Sequence, residues 1–135
     1  MLPVNDLTAV GAILAAALMY VLATVVIKFV FRQKKEDILS RYSRLRRQSI
    51  DLQTAMSGYL LEGNTGKNPI DGELTFADFY RQMKSNHISN LSDKYLSRVK
   101  KSNNPLFLTK VEKNLEEQEQ KLKDAEQLIA TVVAI

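Results

Sequence analysis

Cysteine and tryptophan are absent from this 135-residue chain, and histidine occurs once. Without cysteine there are no disulfides, no thiolate-held zinc or iron–sulfur cluster, no thiol nucleophile and no lipid-modified cysteine. The lone His87, in the stretch Ser85-Asn86-His87-Ile88-Ser89, has no second histidine to share a metal and no neighbouring acid–base pattern, so it reads as a solvated loop residue. Prolines number three and glycines five. Neither occurs in residues 12–57, so nothing in that stretch breaks a helix. The serines and threonines stand in no nucleophile-elbow context. In residues 63–68, Gly63-Asn64-Thr65-Gly66-Lys67-Asn68 imitates a phosphate loop, but Leu61 stands where the first glycine belongs and Asn68 replaces the magnesium-binding hydroxyl. Asp71 and Glu73 lack the regular ligand spacing of a calcium loop. No catalytic, metal-ligating or cofactor-binding residue is assigned, and the chain reads as non-enzymatic.

What is present is distributed unevenly. Residues 1–31 hold 24 hydrophobic positions, whereas residues 32–135 carry 18 Lys/Arg against 14 Asp/Glu. Residues 9–27 contain no charge, long enough for a transmembrane helix, and the run extends to Phe31 if Lys28 reaches back to the headgroups. Asp6 is a natural N-cap for it. A cleaved signal peptide would need basic residues before the run and a small-residue cleavage site after it, and neither is there. No Lys or Arg precedes the span, while Lys28, Arg32, Lys34, Lys35, Arg41, Arg44, Arg46 and Arg47 follow it closely. The positive-inside rule therefore predicts an N-terminus outside and a cytoplasmic C-terminal domain at the cell (inner) membrane. Gly11 and Ala15, four apart among further alanines, offer a close-packing face to another membrane helix.

The net charge of +4 is concentrated next to the span. That placement suits anionic lipid headgroups, contacted by Lys34, Lys35, Arg41, Arg44 and Arg47, better than a nucleic acid, which would want basic and aromatic residues spread over one face. No nucleic-acid partner is expected.

Beyond the span, Ile38, Tyr42, Leu45, Ser49, Leu52, Met56 and Tyr59 follow heptad spacing, as do Leu108, Val111, Leu115, Gln118, Leu122, Ala125, Ile129 and Val132. Laid antiparallel, the seams pair Ile38 with Ile129, Tyr42 with Ala125, Leu45 with Leu122, Ser49 with Gln118, Leu52 with Leu115, Met56 with Val111 and Tyr59 with Leu108. Arg46 then faces Glu119, and the uncharged tail at residues 129–135 returns to the membrane beside residues 34–38. The predicted fold is all-α: external residues 1–6, a transmembrane helix at 7–31 and a stalk helix at 32–62 that Gly63 and Asn64 end. From residue 7 to 61 that helix would measure roughly 80 Å. A loop at 63–74 follows, then two short helices within 75–103, and a return helix at 104–135 in a small antiparallel coiled coil or bundle. Thr75 and Asp78 form a capping pair, with Phe76, Phe79, Tyr80 and Met83 on one face, while Ile88, Leu91, Tyr95 and Val99 share a face of the next helix. Asn104 and Pro105 open the last helix.

These features suggest a membrane-anchored interaction protein, an accessory or scaffold subunit whose partners are lipids and other membrane subunits. The alternative is a self-oligomerising membrane protein that forms a pore or organises the membrane, with the seams pairing between chains.

Overall fold

A computed structural model describes residues 4–62 and 64–133. Gly63, one half of the expected helix stop, and the last two residues of the apolar tail lie outside the described residues. The elements are α1 (Val4–Leu60), a 3-10 turn (Asn64–Lys67), β1 (Pro69–Asp71), β2 (Leu74–Thr75), α2 (Phe76–Asn90), α3 (Asp93–Lys101) and α4 (Pro105–Val133). The protein is predominantly helical and divides into two compact units, Met1–Glu36 and Asp37–Ile135.

Within the first unit α1 is apolar on every side over residues 7–27. Leu7, Ile13, Leu14, Leu18, Met19, Leu22, Val25, Ile27 and Phe29 are all exposed, and among the described residues α1 alone is long and apolar enough to cross a membrane. Its backbone donors and acceptors are satisfied along the helix, which a bilayer demands. Thr24 follows suit by donating its hydroxyl to the Tyr20 carbonyl at 2.8 Å. Asp6 lies inside the first turn, because the helix already begins at Val4. It therefore acts on the helix dipole and not as the expected N-cap.

The second unit is a bundle whose core is the pair of predicted seams. Ile38, Tyr42, Leu45, Met56, Leu108, Val111, Leu115, Leu122, Ala125 and Ile129 are buried within one chain, and so are Ser49 and Gln118. Leu52, Tyr59 and Val132 are half-buried. Thr75 caps α2 by accepting from Asp78 N–H at 3.2 Å, and Ser92 caps α3 by accepting from Tyr95 N–H at 3.3 Å. Asn104 Oδ1 accepts from Leu106 N–H at 3.0 Å, with Pro105 at the first position of α4. Phe76, Met83, Leu91 and Val99 are buried as their spacing predicts, whereas Ile88 is exposed. The expected loop holds a small antiparallel hairpin, turned at Gly72, whose φ of +59° suits glycine. The fold is thus not purely α.

Helix direction corrects the sequence reading. Tyr59 packs on Phe76, Ser49 on His87 and Tyr42 on Ser92, so rising numbers in α1 meet falling numbers in α2. Likewise Asn86 pairs with Gln118 and Asn90 with Asn114, making α2 and α4 antiparallel. It follows that α4 runs parallel to α1. Direct contacts agree, since Arg41 meets Glu119 at 3.3 Å and Gln48 meets Glu126 at 3.4 Å, each pair 78 residues apart. The antiparallel α1–α4 pairing, and with it the placing of Ile129 beside Ile38, is overturned, because α2 and α3 make the return and α4 packs against β1; the last two residues of the returning tail lie outside the described residues. A heptad seam reads 3, 4, 3, 4 in either direction and so carries no arrow.

Candidate functional site

Midway along the bundle, α2 carries polar side chains to both long helices. On α1 the Ser49 hydroxyl lies 2.9 Å from His87 Nδ1 and accepts from Gln53 Nε2 at 3.1 Å. On α2 the next residue, Asn86, exchanges two hydrogen bonds with Gln118 of α4. A turn further along α2, Asn90 donates to Asn86 and accepts from Asn114 of α4 at 3.2 Å. Ser49 and Gln118, each 1% exposed, are thus satisfied by neighbouring residues of α2, His87 and Asn86, and not by one another. Both seams carry one polar residue, and each finds partners, which a buried polar group requires.

His87 is therefore no loop residue. It sits in α2 and is half-buried; burial, and next the positive charge of Arg46, lower its pKa, against a smaller opposing effect of Asp93. Chemically the Ser49–His87 contact resembles a nucleophile and base, yet Ser49 lies mid-helix, where the surrounding N–H groups are committed to the helix and cannot stabilise an oxyanion. What the layer does is fix three helices in one register. Beside it opens a cleft of about 310 Å³, with Phe79, Met83, Leu122, Ala125 and Leu128 among its walls and Ser49 and Asn86 at its base.

Tyr42 is the other buried polar anchor. Its hydroxyl donates to the Ser92 carbonyl at 2.9 Å and its ring stacks on Tyr95 with centroids 5.9 Å apart. Burial, foremost, with Tyr95 beside it, raises its pKa above the ordinary tyrosine range.

No family model, curated protein or solved structure matches the chain.

The basic residues that follow the span fare unequally. Arg46 does not face Glu119 but pairs with Asp93 at 2.7 Å, its Nε buried without a partner. Glu119 instead receives Arg41 at 3.3 Å and Arg44 at 3.5 Å. Arg47 is exposed, and Lys34 and Lys35 are half-buried with interactions of their own. In the apolar unit Gly11 and Ala15 are exposed, and a Cβ at Gly11 would meet nothing within 4 Å. Sequence reasoning missed the amides Asn86, Asn90 and Asn114 and the carboxylate of Asp93. Their signal was legible as spacing: Asn86 and Asn90, like Asn114 and Gln118, lie four apart and so on one helix face.

Proposed function

We propose that this chain is a membrane-anchored, non-enzymatic interaction protein, an accessory or scaffold subunit that holds a helical domain at the cytoplasmic face of the membrane. The observation that carries this reading is the apolar N-terminal part of α1, exposed on every side, followed in the same helix by a charged bundle whose apolar seams are already filled. Surface of the first kind is stable in a bilayer and not in water. The asymmetry of Lys and Arg favours an outside N-terminus, with Lys34, Lys35, Arg41, Arg44 and Arg47 contributing headgroup attraction of about 1 kcal/mol per residue at the surface.

The test joins topology and mass. A cysteine at Leu2 should react with a membrane-impermeant maleimide on intact cells, and one at Asn64 only after permeabilisation. In mild detergent the protein should run as a monomer or with a different subunit at fixed stoichiometry. The reverse labelling pattern overturns the cytoplasmic assignment. A ring of identical copies would favour the second reading, a self-oligomerising protein joined through the open face at Gly11 and Ala15.

A further inference from the structure

Four arginines, Arg41, Arg44, Arg46 and Arg47, fall within two turns of α1 and are used differently. Arg46 makes a close charge-assisted contact, Nη2 to Asp93 Oδ1 at 2.7 Å, the distance such pairs prefer. Arg41 and Arg44, one turn apart, converge on a single carboxylate of α4. Arg41 Nη2 stands 3.3 Å from Glu119 Oε2, and Arg44 Nη2 stands 3.5 Å from Glu119 Oε1. Both contacts are longer than a well-made guanidinium–carboxylate bond, and each guanidinium uses one nitrogen where it can present two. One planar carboxylate cannot serve two forks bidentately, and its single charge leaves the pair net positive. The side chain of Arg44 is 62% exposed and that of Glu119 46%, so an anion from solution reaches them without opening the bundle.

We propose that Arg41 and Arg44 form a binding site for a phosphate-class anion, with Glu119 as its built-in competitor. A tetrahedral phosphate has oxygens enough to accept from both forks, and its charge balances the two guanidiniums as one carboxylate does not. On binding, Glu119 rotates away from the arginines on its exposed helix face. Asp51 and Glu126, which line a surface depression with Arg44 and Arg47, keep the affinity modest. The anion comes either from a lipid headgroup or from free phosphate; only the lipid form rests on the headgroup reading given above.

Arginine side-chain NMR of the full chain in phosphatidylcholine nanodiscs, titrated with inorganic phosphate, tests the site. The Nε–Hε signals of Arg41 and Arg44 should shift saturably while that of Arg46 stays. Glu119→Gln should tighten binding about fivefold, the scale of one exposed ion pair. Glu116→Gln, which removes the same charge elsewhere on α4, should change it little. Discs containing phosphatidic acid separate the sources. If the lipid is the ligand, the Arg41 and Arg44 signals move before phosphate is added; if they respond to phosphate alone, the headgroup reading fails and the site stands. Absence of any saturable response to phosphate or to phosphatidic acid overturns the proposal. So does an equal gain from Glu116→Gln and Glu119→Gln, which would reduce the effect to net charge.

Discussion

Gln118, buried, and His87, half-buried, show how polar side chains are kept in a small bundle. The pKa of His87 is lower in the folded chain than its ordinary 6.5, so the unfolded chain takes up a proton first as pH falls. Its contribution is intact above that value and is lost as pH drops through and below it. Thermal unfolding at pH 7.5 and pH 5.5 should show the bundle weaker at the lower pH, and His87→Gln should flatten that difference; an unchanged slope would put the sensitivity elsewhere. Gln118→Leu leaves the Asn86 Nδ2 donor without its acceptor, while Oδ1 keeps Asn90, and should cost about 1–3 kcal/mol in denaturant unfolding, with Asn86→Leu added on top recovering part of it. Tyr42→Phe is milder. The Ser92 carbonyl also accepts from Leu96 N–H, so the lost hydroxyl costs about 0.5–1 kcal/mol.

At the scale of elements, the deciding feature is that three long helical segments pack up, down and up, with α3 completing the downward leg. Fifteen residues of α2 and nine of α3 carry the chain back along α1 before α4 begins. The parallel relation of α1 and α4 is open to crosslinking within one chain. Paired cysteines at Gln48 and Glu126, whose native side chains meet at their tips, should be joined within one chain by a short bis-maleimide, whereas a pair at Ile38 and Ile129, opposite each other in an antiparallel arrangement, should not. The opposite result would reverse α4. Heptad spacing and the caps at Thr75 and Asn104 were readable from sequence because both follow from local geometry. The route of the chain was not, because it depends on which filled seam meets which across space.

For the molecule as a whole, the two units make different demands on their surroundings. The apolar unit keeps its side chains exposed, while the bundle buries both of its seams within one chain. Residues 37–135 expressed alone should therefore be soluble, helical and monomeric by light scattering, and the full chain should remain with membranes through alkaline carbonate extraction. A concentration-dependent dimer of the isolated unit would show that a face other than the seams carries association.

By itself the sequence determined where the apolar helix lies, which positions form the seams, where the first short helix starts, and that one polar residue sits in each seam. These are one-dimensional properties, set by periodicity, side-chain polarity and cap chemistry within a few residues. Tertiary structure alone decided that Glu119 meets Arg41 and Arg44 rather than Arg46, that Asp93 takes Arg46, and that His87 reaches Ser49 from within α2. Those pairings turn on helix direction, which a periodic seam does not encode and which only the packing of α2 against both long helices settles.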